Sequence, residues 1–155
     1  MTEYPQFDLD HQLCFALYTA SRAVIRTYAP LLDETGLTYP QYLTMLVLWQ
    51  SPDRPLSVGE LGERLHLDSG TLTPLLKRLE STGYLTRARD TSDERRVLVT
   101  LTAAGLDLRE QLAAVPESFF ACLGMPLSEA ASLRDQLTAL TASLEAGAAR
   151  ALAGG

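Results

Sequence analysis

A change of hydrophobic period along the chain predicts a mainly α-helical fold carrying a helix-turn-helix and a small β-hairpin. Three observations carry that prediction. Apolar residues recur at three- and four-residue steps on both sides of a central stretch. Within that stretch two capped helices are joined by a turn of a few residues. Directly afterwards the period drops to two, in Val97, Val99 and Leu101, behind a charged loop.

Taken in order, Asp8 or Asp10 offers an N-cap for a long first helix through Leu9, Leu13, Leu17, Ala20, Val24 and Tyr28, running towards Leu32 with Pro30 set to kink it or stop it early. Gly36 closes the segment. Thr38 caps a second helix with Pro40 in its first turn and Tyr42 to Trp49 as its body, and Ser51, Pro52 and Pro55 mark a loop. Ser57-x-x-Glu60 is a capping box that opens a short third helix at Leu61 and Leu65. After His66 to Asp68, a cap at Asp68 or Ser69 starts a fourth helix through Leu72, Leu75, Leu76 and Leu79, ending at Gly83. Tyr84 to Arg89 and Val97 to Leu101 then pair as a two-stranded hairpin with a seven-residue charged tip. Thr102 caps a fifth helix through Leu106, Leu112, Phe119 and Leu123, with a kink expected at Pro116. Pro126 and Ser128 introduce a sixth, with Leu133, Leu137, Leu140 and Leu144 on one face. The Ala- and Gly-rich stretch from Gly147 to Gly155 is expected to fray.

The chain's 155 residues are one domain's worth of protein, 46% hydrophobic and 21% charged, which is globular composition. No apolar run approaches the roughly 20 residues that span a bilayer, and Met1 to Asp10 lacks the basic and apolar regions of a secretory signal. The expectation is a cytoplasmic protein with no membrane partner. The net charge of −6 argues on its face against nucleic acid. Its distribution argues the other way. From Arg64 to Arg96 seven basic residues stand against five acidic ones, so an acidic body carries one basic module. Two cysteines, Cys14 and Cys122, and two isolated histidines give no zinc spacing, so no metal and no cofactor are expected. Distant thiols of this kind are commonly buried and inert.

Helix, helix, helix-turn-helix, β-wing and trailing helices is the element order of the winged-helix MarR regulators, and the chain resembles them along its full length. Within that family it resembles the organic hydroperoxide sensors known as OhrR. The resemblance rests on Leu13-Cys14-Phe15-Ala16-Leu17-Tyr18, on Thr38-Tyr39-Pro40-Gln41-Tyr42 and on Leu67-Asp68-Ser69-Gly70-Thr71-Leu72-Thr73-Pro74-Leu75-Leu76. Asp93-Glu94-Arg95-Arg96 and Leu101-Thr102-Ala103-Ala104-Gly105 resemble the wing and the strand-to-helix junction of the wider family. The resemblance implies a single domain, with a winged helix-turn-helix over about 37–101 and dimerisation helices over about 8–34 and 102–150. It implies a regulator and not an enzyme.

A thiol attacks a hydroperoxide only as thiolate, leaving a sulfenic acid. Cys14 lies near the start of the first helix, where the dipole favours an anion. The resemblance implies that Tyr28 and Tyr39 donate their hydroxyls to that thiolate from the partner subunit of a homodimer; read from the residues alone, they are equally half-buried core or interface side chains. Phe15, Leu17 and Tyr18 would favour a peroxide with an organic tail. In two-cysteine sensors a distal cysteine, matched here by Cys122, closes a disulfide with the partner's oxidised thiol. Among Phe119, Phe120 and Leu123 it is also suited to core packing.

For DNA, the fourth helix offers Ser69, Thr71, Thr73, Lys77 and Arg78 to a major groove. By resemblance, Arg95 enters a minor groove, oriented by Asp93, while Arg87 and Arg89 touch phosphates. The expected partner is a pseudo-palindromic double-stranded operator, bound by the reduced dimer and released when organic hydroperoxides oxidise it. Two other readings compete: a MarR regulator answering a non-covalent phenolic ligand, and a thiol peroxidase, which the scarcity of strand disfavours.

Overall fold

The computed structural model describes residues 4–153. Met1–Glu3, at the start of the expected non-signal stretch, and the last two glycines of the expected frayed tail lie outside it. Two compact units divide the chain, one ending at Phe119 and the other beginning at Phe120.

The first unit opens with two 3-10 turns, Pro5–Phe7 and Leu9–His11, before α1, Leu13–Leu32. The Asp8 cap falls on the second of these turns and not on α1, because its carboxylate accepts the Asp10 N–H. Gln12 is the N-cap of α1 and offers no side-chain bond. Pro30 lies inside α1 without ending it early; a further 3-10 turn, Asp33–Thr35, closes on Gly36 at φ 66°. α2, Tyr39–Trp49, opens with a full capping box between Thr38 and Gln41.

β1, Leu56–Ser57, leads into α3, Val58–Leu65, whose own capping box is Ser57 with Glu60. The turn to α4, Ser69–Ser81, passes through His66 at φ 53° and requires Gly62: a Cβ there would stand 2.7 Å from the Leu67 carbonyl oxygen. Asp68 caps α4 by accepting the Thr71 N–H at 2.8 Å. β2, Leu85–Arg89, and β3, Val97–Leu101, form the hairpin, with Arg87 opposite Val99. The sheet has three strands, one more than the expected hairpin, in antiparallel order β1-β3-β2, because Leu56 and Ser57 pair with Val99 and Leu98.

α5 spans Ala103–Gln111 and α6 Val115–Leu123. The expected single helix with a kink is two helices, because Pro116 in the first turn of α6 cannot continue the hydrogen-bond ladder from α5. One core joins the elements of this unit. Leu32, Met45, Leu48, Leu56, Leu61, Leu72, Leu76, Leu79, Leu85, Val99 and Leu108 are buried in it. Trp49 crosses from α2 to donate its indole N–H to the Gly105 carbonyl at 2.8 Å.

In the second unit, α7 runs Leu127–Ala153 and buries none of its residues. It continues through Gly147, so the stretch expected to fray is helical as far as Ala153. A single glycine costs only about 1 kcal/mol in a helix of this length, and alanines surround it.

Candidate sensing thiol and DNA interface

Cys14 is the second residue of α1 and is exposed. The Phe15 and Ala16 N–H groups both donate to the Gln12 carbonyl, so the ladder begins at that turn. The N–H groups ahead of it point out of the helix end, where negative charge is favoured. Cys122, on α6, is exposed too. Neither thiol is the buried core cysteine that general usage suggests.

Phe15 and Leu17 are half-buried beside Cys14, whereas Tyr18 is exposed and its hydroxyl accepts from Arg22 Nη1 at 3.2 Å. The Arg22 guanidinium also lies 5.5 Å from the Tyr18 ring centre. A cleft of about 320 Å³ between α1 and the start of α2 is walled by Ile25, Ala29, Leu37, Tyr39 and Pro40, and not by the residues around the thiol.

The two tyrosines expected to serve Cys14 are brought together by α1 and α2. Tyr28 and Tyr39 stand 4.4 Å apart between ring centres, Tyr42 is 5.7 Å from Tyr28, and Phe119 stacks on Tyr28 at 4.4 Å. Burial, then the neighbouring Tyr39 and Tyr42, push the Tyr28 phenol up to about 12, and burial raises Tyr39 as well. Both stay protonated and able to donate at any physiological pH. The structure does not bring them to their own Cys14. Tyr28 lies fourteen positions beyond Cys14 on α1, about 21 Å along the helix axis.

A groove of about 450 Å³ lies between α4, the start of α3 and the wing. Ser69 and Thr73 line it from α4, Gly59 from α3, and Arg87, Arg95 and Arg96 from the hairpin. Arg95 is 92% exposed, and both its Nε and its backbone N–H donate to Asp93 Oδ1, at 3.2 and 3.1 Å. Lys77, Arg78 and Arg89 are exposed; Arg89 Nη1 reaches the Glu94 carbonyl at 3.3 Å. Thr71 is drawn back to its cap, its hydroxyl donating to Asp68 Oδ2 at 3.2 Å. Arg87 departs furthest from expectation, since its guanidinium is paired with Glu80 at 2.8 Å. Arg96, which the sequence does not single out, lies 3.5 Å from Asp90 and 3.8 Å from Glu60 and ties the wing to α3. The Ser57 capping box is the available signal for it, because it places Glu60 where a wing arginine could meet it.

A profile of the transcriptional regulator SarA/Rot family matches residues 26–112. The HTH-type transcriptional regulator TtmR of Methylorubrum extorquens is 50% identical over 92% of this chain and 76% of its own length. The organic hydroperoxide resistance transcriptional regulator of Bacillus subtilis is 43% identical over 92% of this chain and 94% of its own. The chain belongs to the winged-helix MarR/SarA-type transcriptional regulators. Within them it is of the OhrR type. AbfR of Staphylococcus epidermidis, solved in its reduced state bound to DNA, superposes with a TM-score of 0.74 at 35% identity over 92% of this chain and 99% of that one. The disulfide-formed AbfR gives a TM-score of 0.62 at 37% identity over 88% and 94%. This MarR-type chain is a DNA-binding regulator and not an enzyme. Among its described residues, no helix is long and apolar enough to cross a membrane.

Proposed function

We propose that the protein is a cytoplasmic, homodimeric repressor that holds a pseudo-palindromic operator when reduced and leaves it when an organic hydroperoxide oxidises Cys14. The observation that carries this reading is the exposed thiol in the first turn of α1, with Tyr28 about 21 Å away towards the other end of the same helix and Tyr39 packed on Tyr28 from α2. A subunit with that spacing cannot complete the site alone. A two-fold partner with its α1 antiparallel would bring Tyr28 and Tyr39 to each Cys14. The exposed apolar side chains support such a partner: Leu13 and Ile25 on α1, and Leu133, Leu137 and Leu144 on α7, are all more than a third exposed in the single chain.

The Cys14 thiolate attacks the terminal peroxide oxygen, the O–O bond breaks, and the alkoxide leaves with a proton as the alcohol. Cys14 becomes a sulfenic acid. The Cys122 thiolate of the partner subunit then attacks that sulfur, and hydroxide leaves with a proton as water, forming an intersubunit disulfide. The Cα atoms must come within about 7 Å for this bond, so the oxidised dimer adopts its own backbone arrangement. An arrangement that fits both half-sites worse by about 3 kcal/mol lowers affinity more than a hundredfold. The Bacillus subtilis relative named for organic hydroperoxide resistance, and AbfR, solved reduced on DNA and in a disulfide form, support a redox-responsive DNA-binding regulator; overoxidised AbfR is also solved on DNA, so release is assigned to the disulfide.

One equivalent of cumene hydroperoxide, beside a hydrogen peroxide control, followed by denaturing electrophoresis without reductant, tests the proposal. A covalent dimer that needs both Cys14 and Cys122 is the expected result. A mass increase on Cys14 alone keeps the sensor and removes Cys122 from it. If neither thiol reacts, the redox reading fails in favour of a ligand-responsive MarR regulator.

A further inference from the structure

The last turn of α4 carries Glu80, whose carboxylate is spent on one residue of β2. Oε1 accepts the Arg87 backbone N–H at 2.9 Å, and Oε2 accepts Arg87 Nε at 3.0 Å and Nη2 at 2.8 Å. Both guanidinium donors converge on one carboxylate oxygen while the other oxygen holds the backbone N–H, so three bonds fix the orientation of the two side chains as well as their distance. Because the strand order is β1-β3-β2, β2 is an edge strand, and the Arg87 N–H points out of the sheet towards α4. Glu80 lies seven residues from Thr73 and three from Lys77, on one stripe of α4. The pair therefore ties the stripe that faces DNA to the strand that carries the wing.

We infer that Glu80 and Arg87 form a positioning strut that sets the angle between α4 and the wing, so that α4 and Arg95 reach neighbouring grooves together. The inference rests on the DNA-reading role proposed above. The sequence expectation makes Arg87 a phosphate contact, and the two roles predict opposite behaviour at Glu80. A phosphate-binding Arg87 would be released by removal of the acid, and affinity would rise. A strut fails from either end.

The test uses full-length reduced protein and a duplex recovered by that protein from a random-sequence pool. Glu80→Ala and Arg87→Ala are each expected to weaken binding by roughly tenfold, the scale of one charge-assisted hydrogen-bonded pair. The double variant should be no weaker than either single one. The slope of log affinity against log salt should stay at the wild-type value, whereas Arg89→Ala, an exposed cation on the same strand, should reduce it. Hydroxyl-radical footprints should lose the flanking minor-groove protection of the wing while dimethyl sulfate protection in the major groove persists, a split that general loss of folding does not produce. A Glu80→Ala protein that binds as tightly as wild type or tighter overturns the strut. So does an Arg87→Ala protein that lowers the salt slope while Glu80→Ala is silent. Wild-type protein that protects no duplex overturns the DNA-reading role and the strut with it, so the two failures are distinguishable.

Discussion

At the scale of single residues, the proposed sensor divides its chemistry between a nucleophile and its donors. Cys14→Ser should leave reduced-state DNA binding intact and abolish release by cumene hydroperoxide, as read by fluorescence anisotropy of a labelled duplex. Release that persists in this variant would mean that the effector acts elsewhere. Tyr28→Phe keeps the ring stacked on Phe119 and beside Tyr39 but removes one donor to a charged acceptor, worth about 1.5–3 kcal/mol. Sulfenic acid formation should slow by about ten- to a hundredfold in stopped-flow measurements, with the melting temperature nearly unchanged. A Tyr28→Phe protein oxidised at the wild-type rate would return that phenol to a packing role. Part of this site is legible in the amino-acid sequence, because the apolar period places Cys14 near the start of a long helix, although the Asp8 cap belongs to a separate 3-10 turn and α1 itself begins at Leu13. The length of α1 between Cys14 and Tyr28 is equally readable there. What no local pattern shows is that both thiols are exposed, since exposure depends on which faces the rest of the chain covers.

At the scale of elements, the helix-turn-helix and the helices and wing around it are held by caps and close approaches, more than by their length. Gly105 is the clearest case: a Cβ there would collide with the Tyr84 carbonyl oxygen, and its own carbonyl accepts the Trp49 indole N–H. Gly105→Ala should therefore cost more than about 3 kcal/mol, while Trp49→Phe, which loses one buried hydrogen bond, should cost about 1–3 kcal/mol. Chemical denaturation of both variants checks the order. At the start of α3, Glu60 accepts the Ser57 N–H at 2.7 Å and pairs with Arg54 at 2.9 Å, and these contacts hold its carboxyl at about 2, below its ordinary 4.5. A lowered folded value means that the unfolded chain binds the proton more tightly. The stability Glu60 adds is therefore complete above pH 4.5 and lost as the pH falls towards 2. Thermal melts across that window should steepen in wild type and flatten in Glu60→Gln. The remaining acid dependence belongs to Asp68, Glu80 and Asp90, which are lowered in the same direction. The caps at Thr38, Ser57, Asp68 and Thr102 are all readable from sequence because each bond spans three residues. β1 is not: two residues form a strand only because β3, some forty positions later, pairs with them. The break before Pro116 reads as a kink in sequence because a proline marks the site without saying how far the next helix turns away.

At the scale of the whole molecule, α7 supports the proposed dimer. A helix of 27 residues, about 40 Å long, that buries none of its side chains gains too little from propensity to stand alone in water. Leu137→Asp should shift sedimentation from dimer towards monomer and weaken DNA binding with it; a variant that stays dimeric would place the interface elsewhere. The distance between Cys14 and Tyr28 along α1 has a genetic consequence. If each sensing site is assembled from two chains, a Cys14→Ser subunit and a Tyr28→Phe subunit are defective in different halves. Mixed in one cell or refolded together, they should complement: the heterodimer pairs the intact thiol of one with the intact phenol of the other. One competent site per mixed dimer would restore fast oxidation to a population built entirely from impaired chains.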